Sequence, residues 1–186
     1  MRPPKLLVMW STLLWFMLLA AGSIVGCSEN QKSPDVADSI RHSLDQAGLK
    51  DVTVSQDRDK GVVTLGGKVA ADTDKMQAET IAKSTAPGQV VADQIAVIPP
   101  GVESDAKAVN SDLDKGIEKN LDAALIRNRL NKHVKYDVKN GVVTLTGEVN
   151  SQGRRAFAEK VAAGVPNVQQ VVNELEVKNQ KATSTN

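Results

Sequence analysis

"GVVTLGGKV" occupies residues 61–69, and "GVVTLTGEV" occupies residues 141–149. Seven of the nine positions are identical, with no gap between the two copies of the stretch. It reads as a strand: Val63, Leu65 and Val69 fall on one side, as do Val143, Leu145 and Val149. Gly67 and Gly147 fall on that same inward side, where a glycine marks a bulge or a close backbone approach. A helix packed tightly over the sheet would account for both.

The match continues at a constant offset of 80 over 37 residues. Ala78-Glu79 meets Ala158-Glu159, Ile81-Ala82 meets Val161-Ala162, and Asp93, Ile95 and Val97 meet Asn173, Leu175 and Val177. A fixed offset means one structural unit used twice. Two copies are too few for a solenoid, so each is expected to be a small domain with its own core. At roughly 65 residues such a domain buries only about 60% of its unfolded surface, so packing of one copy on the other would help both.

Around the repeated strand the other elements follow. Val36, Ile40 and Leu44 recur at helical spacing, with Ser33-Pro34 as the expected N-cap and first helical residue. In the second copy "SDLD" at 111–114 has the form of a capping box, and Ile117, Leu121, Leu125 and Leu130 mark the stripe. Val52 and Val54 begin a strand in one copy, and Val134, Tyr136 and Val138 in the other. "NG" at 140–141 is a two-residue hairpin signal, because a type I′ turn needs positive φ at both positions. "DRDKG" is its longer counterpart, by two residues when Val52 is aligned with Val134. A second helix is expected from Asp72 or Ser151 until "APG" or "GVPN" stops it. In the last strand Asp93 and Asn173 recur at one inward point and are expected to bond neighbouring backbone. The order is α-β-β-α-β in each copy, an α+β arrangement with a three-stranded sheet packed against two helices.

Ahead of the repeats the chain opens "MRPPK" and runs without a charge from Leu6 to Ser28, the layout of a bacterial secretory signal. The stretch closes "SIVGC", and Cys27 is the one cysteine of the chain, so no intramolecular disulfide can form. It resembles the lipobox of bacterial lipoproteins, with Gly26-Cys27 fitting and Ile24 and Val25 departing mildly. Three readings stay open: a lipoprotein signal at 1–26 with Cys27 lipidated, an uncleaved anchor over Leu6–Gly26, or simple cleavage. All three place the repeats outside the cytoplasm. "CSENQKSP", 27–34, reads as a tether, 99–111 as a solvated connector or weak helix, and 179–186 as a disordered tail.

The strand "NGVVTLTGEV" and the last strand "VVNELEV" of the second copy resemble the BON (bacterial OsmY and nodulation) domain. The first copy reads "KGVVTLGGKV" and "VVADQIAV", with Asp93 where the motif has Asn. The resemblance covers 35–98 and 112–178, and a lipobox before two such domains looks like a dual-BON envelope lipoprotein. It implies a non-enzymatic role in the bacterial envelope: phospholipid binding and envelope integrity, held to a membrane through a lipidated N-terminus. Ser28 after Cys27 is not the Asp that retains enterobacterial lipoproteins in the inner membrane, which favours the outer one. Soluble relatives imply the alternative, a periplasmic stress module that binds envelope proteins in a chaperone-like way.

No catalytic constellation is legible. His42 and His133 stand alone at unmatched positions, no thiol–imidazole pair or metal spacing exists, and "DRDKG" lacks the ligand spacing of a calcium loop. No enzyme activity, cofactor or metal is expected. After Gly26 the chain has 21 basic and 22 acidic residues, a balance that does not suit nucleic acid. The charge is unevenly shared. Residues 27–101 hold 8 basic and 11 acidic side chains, and residues 102–186 hold 13 basic and 11 acidic. Arg127, Arg129, Lys132 and Lys135 fall between the second copy's first helix and first strand, with Arg154, Arg155 and Lys160 in its second helix. Such a cluster is either an ordinary solvated surface or an anionic-lipid contact, at about 1 kcal/mol per Lys or Arg. The first helix of the second copy carries no aromatic residue, so contact by charge rather than insertion is expected.

Overall fold

The repeated strand is the centre of each half. In the computed structural model, which describes residues 32–178, the first half consists of α1 (Ala37–Gln46), β1 (Val52–Asp57), β2 (Val62–Val69), α2 (Asp72–Thr85), β3 (Val90–Asp93) and β4 (Ala96–Val97). The second half repeats the order with α3 (Glu103–Arg127), β5 (Val134–Lys139), β6 (Val142–Val149), α4 (Gln152–Ala163), β7 (Gln170–Asn173) and β8 (Glu176–Val177). In each half the central strand pairs antiparallel with its hairpin partner and parallel with the interrupted last strand. The fold is α+β, two tandem units of one plan. The apolar N-terminal stretch, Cys27 and the tail from residue 179 lie outside the described residues.

Each half has its own core. Ile40, Leu44, Val63, Leu65 and Ile95 are buried under Ala78 and Ala82 in the first, and Leu121, Leu125, Val143 and Leu145 under Ala158 and Ala162 in the second. Alanine on the inward face of α2 and α4 lets each helix lie close to its sheet.

The hairpin register confirms the length difference read from the sequence. Val52 pairs with Gly67 and Val134 with Gly147, so the two extra residues of the first copy sit in its turn. Asn140 and Gly141 both have positive φ, 49° and 77°, as the two-residue turn demands.

Three local expectations are corrected. First, Ser33-Pro34 does not start α1, whose N-cap is Val36. The Ser33 N–H instead donates to the Arg58 carbonyl at 2.8 Å, and the Pro34 carbonyl accepts from the Gln56 amide at 2.7 Å, so this segment is tied to the hairpin. Second, "SDLD" caps no helix, because α3 already runs from Glu103 through the expected connector. The Asp114 carboxylate accepts from the backbone N–H groups of Asn140 and Gly141 at 2.8 and 2.9 Å, fastening the second hairpin to α3. Third, the strand glycines are not there to admit a helix. Gly67 and Gly147 have φ of +89° and +116°, and a Cβ would lie 2.0 Å from the Asp51 carbonyl oxygen or 2.3 Å from that of His133. The close approach is made by the backbone entering the neighbouring strand.

Asp93 and Asn173 behave as the repeat implied. Each turns its side-chain oxygen back on the chain, accepting from the Ile95 N–H at 3.1 Å or the Leu175 N–H at 3.2 Å where the last strand breaks.

The two halves pack through the sheet faces that carry no helices. Val62 and Ala92 of one meet Val142 and Val172 of the other, and both pairs are related by the offset of 80. Each fully buried valine contributes about 1.5 kcal/mol or more. Polar contacts repeat the symmetry with different chemistry. Asn140 Nδ2 donates to the Gln94 carbonyl at 2.8 Å, while the equivalent pair, Lys60 and Glu174, forms an ion pair at 2.9 Å.

Candidate functional site

α3 ends in a way that its counterpart explains. The N–H of Leu130 bonds back to the Leu125 carbonyl at 2.9 Å, as Leu49 does to Leu44, and the buried leucine pins the exit loop to the core. This cap needs a residue in the left-handed region just before the leucine. The first copy uses Gly48 at φ +80°; the second uses Arg129 at φ 55°. An arginine therefore occupies a position where glycine is the unstrained choice, and the loop holds its side chain out at the corner of the domain.

Three of the four residues expected at a lipid surface share this corner. Arg127 ends α3, Arg129 follows, and Lys132 lies in the turn before β5, all exposed. Lys135 does not join them. Strand alternation buries Val134 and turns Lys135 to the opposite face of the sheet from the helices. Arg154 takes its place, its guanidinium donating to the Arg129 carbonyl at 3.1 Å across the α3–α4 corner. Arg155 points inward and donates to the Asn173 carbonyl at 2.9 Å, a structural role. Among the described residues, none of Arg127, Arg129, Lys132 and Arg154 is in an ion pair with a carboxylate.

Two apolar side chains accompany the charges. Ile126 is 53% exposed and Phe157 is 44% exposed. The Ile126 carbonyl accepts from the Arg129 N–H at 3.0 Å, and Phe157 lies three residues after Arg154 on α4, one helical turn away, so both stand near the Arg154–Arg129 bond. The absence of an aromatic residue from α3 holds, but α4 supplies one. The signal was present in the repeat. The helix ends align α3 on α1 at an offset of 81, and α4 keeps the offset of 80. Where the second copy has Ile126, Arg127, Arg129, Arg154 and Phe157, the first has Asp45, Gln46, Gly48, Asp74 and Gln77. Five changes from acidic, polar or small residues to basic or large apolar ones meet in one corner.

Neither histidine is part of the basic corner. His42 is exposed and lies 3.0 Å from the Gln46 amide, and His133 is exposed with its carbonyl beside Gly147. Among the described residues no group of His, Cys, Asp and Glu is placed to hold a metal, and no helix is long and apolar enough to cross a membrane. Asp93 is the buried carboxylate of the molecule's described part, and desolvation raises its pKa above the ordinary 3.8, offset in part by the Ile95 N–H and by Lys75. The Lys60 ammonium is raised above 10.5 by its hydrogen bond to Glu174.

Comparison with known proteins agrees with the repeat. The chain is 31% identical over 137 residues to osmotically-inducible protein Y of Escherichia coli (strain K12), an alignment covering 73% of this chain and 67% of that protein. Two solved structures of CdsD, a structural protein of the type III secretion system of Chlamydia trachomatis, cover 79% and 77% of this chain and 99% and 92% of their own. They share 14% and 15% identity at TM-scores of 0.33 and 0.34, too low a similarity to bear on fold or function. The BON domain profile matches residues 33–99 and again 113–179, and the chain accordingly belongs to the BON domain family, carrying the domain twice.

Proposed function

We propose that this is a non-enzymatic envelope protein that sits against anionic phospholipid through the corner formed by Arg127, Arg129, Lys132 and Arg154. It is held at the membrane through a lipidated Cys27 and contributes to envelope integrity under osmotic stress. The observation that carries the reading is the concentration of copy-specific changes in one corner. Four cations without acidic partners attract anionic headgroups, at about 1 kcal/mol each near the surface. Ile126 and Phe157 are placed to enter the headgroup boundary, where apolar area adds a component that salt does not screen. The relative that is named for osmotic induction supports a role in stress. On this reading the first copy is a spacer that presents the second.

The test uses residues 28–186, which retain both cores but lack Cys27, sedimented with neutral or phosphatidylglycerol-rich vesicles. Binding to the anionic vesicles alone is expected. Replacing Arg127, Arg129, Lys132 and Arg154 by Glu is expected to abolish it, and Phe157→Gln with Ile126→Asp to remove the part that survives high salt. Equal binding by the charge-reversed protein would sink the lipid assignment and leave Cys27 as the proposed membrane contact.

A further inference from the structure

The first four turns of α3 have no part in the domain core. α1 has 10 residues and α3 has 25, and the difference is all N-terminal: the first inward residue of α3 that is buried is Ile117. Ahead of it the apolar stripe continues in the same register through Val102, Ala106, Val109 and Leu113. Val109 is 57% exposed and Leu113 46% exposed. An isolated helical extension of this kind is costly to hold in order, and an apolar stripe without a partner adds nothing to its stability.

Across from it lies α2 of the first copy, and a groove of about 620 Å³ separates the two helices. α2 lines it with Asp72, Met76 and Glu79, and α3 with Leu113, Asp114 and Ile117. Each helix thus presents one face, at i, i+4 and i+7 or i, i+1 and i+4. The floor is β4, with Ala96 and Val97 half-buried over the buried Ile95; Asn140, Gly141 and residues 167–169 of the second domain also line the groove, and Met76, at 65% exposed, stands at the mouth. The charge around the groove is net negative. Glu79 is paired with Lys83 at 2.6 Å and the buried Asp93 with Lys75 at 4.0 Å, which leaves Asp72 and Asp114, among the described residues, as the lining carboxylates without a cation. The pseudo-symmetric groove has Gln152 and Arg155 of α4 as one helical wall but lacks the second, because α1 begins too late to supply it.

We propose that this groove between the domains docks a short amphipathic helix of a partner protein, apolar on one side and flanked by Lys or Arg. Two facing helices over an apolar floor form the seat for a third helix, which reads i, i+3 and i+4 anchors into the groove. Methionine adapts to different apolar anchors. Asp72 and Asp114, the carboxylates without a cation, favour cationic flanks and repel acidic ones, so they set specificity and encounter rate. The same carboxylates reject anionic lipid, which separates this surface from the basic corner of the second copy. The docking does not depend on the lipid reading.

The test is fluorescence anisotropy on residues 28–186 without vesicles. The probes are a labelled leucine–lysine amphipathic helical peptide and its leucine–glutamate counterpart. The lysine peptide is expected to bind and the glutamate peptide not. Leu113→Arg and Met76→Arg, both at exposed positions, are each expected to weaken binding about tenfold or more. Asp45→Lys, outside the groove, and the protein with Glu at Arg127, Arg129 and Lys132 are expected to bind as the unaltered chain does. Equal binding by the groove variants, or by the glutamate peptide, overturns the proposal. Sedimentation equilibrium completes the test: a dimer of the unaltered chain that Leu113→Arg dissociates would make a second copy the occupant, and also overturns it.

Discussion

Gln170 and Asp93 lie in different domains, and the Gln170 side-chain oxygen accepts the Asp93 backbone N–H at 3.0 Å. The same amide donates to the Val91 carbonyl at 2.7 Å, so one side chain occupies the outer edge of β3 as a neighbouring strand would. The symmetry-related position holds Val90, which has no such groups. Gln170→Val would restore the symmetry and remove both bonds. Each is worth about 1 kcal/mol, so a loss of about 1–2 kcal/mol in urea unfolding is expected. The Asp93 and Val91 region should also lose amide-exchange protection while the two cores keep theirs. Unchanged protection would show that the halves are held without the Gln170 bonds, by the apolar contact with the Asn140–Gln94 and Lys60–Glu174 pairs.

Asp93 is the carboxylate that the second copy replaces with Asn173. Asn173 donates to the Arg155 carbonyl at 3.1 Å and the Glu159 carboxylate at 2.9 Å, bonds an ionised Asp93 cannot make to Lys75 and Glu79. The pKa of Asp93 is raised in the folded state, so its contribution to stability is fully present below the ordinary carboxylate value of 3.8. It is lost as pH rises through the raised folded value. Asp93→Asn is therefore expected to stabilise the protein at neutral pH by about 1 kcal/mol, with the advantage shrinking toward acid. Thermal unfolding of both proteins from acid to neutral pH reads this directly, and a pH-independent difference would contradict it.

Gly147→Ala combines a Cβ 2.3 Å from the His133 carbonyl oxygen with a φ of +116°. The backbone of the strand entry must move, and a loss of about 3 kcal/mol or more is expected, with Gly67→Ala alike. Gly88→Ala is the comparison: its Cβ meets nothing within 4 Å, so only the positive φ of +79° is penalised. Equal losses at Gly88 and Gly147 would show that φ, not the close approach, is the reason for glycine.

Arg129→Gly separates folding from binding. Glycine meets the left-handed cap without strain, as Gly48 does, so a gain of about 0.5–1 kcal/mol in stability is expected. The same change removes one corner cation and should weaken anionic-vesicle binding about fivefold, the equivalent of about 1 kcal/mol. A variant that is more stable and binds as tightly would leave Arg129 without a role at the membrane.

The fold was legible because its evidence is local and written twice. Periods of two and of three to four residues separate the strands from the helices, and "NG" at 140–141 specifies a turn through its own φ values. The shared offset then assigns every element of one copy to the other. That Arg127, Arg129 and Lys132 share one corner was also legible, since they fall within six residues at the end of α3 and in the turn after it. What sequence could not decide were relations between segments far apart along the chain. Asp114 looked like a helix cap, yet its partners are the hairpin amides of Asn140 and Gly141. Gly147 falls on the side that faces the helices, yet the atom it must clear is the carbonyl oxygen of His133, just ahead of β5. Lys135 is near Lys132 in sequence, but strand alternation turns it away, while Arg154 arrives from another helix. Hydrophobic periodicity records which side of an element is buried, whereas it carries no record of which distant backbone or side chain meets it. That choice is made by the packing of one element on another, and here by the packing of the two domains on each other.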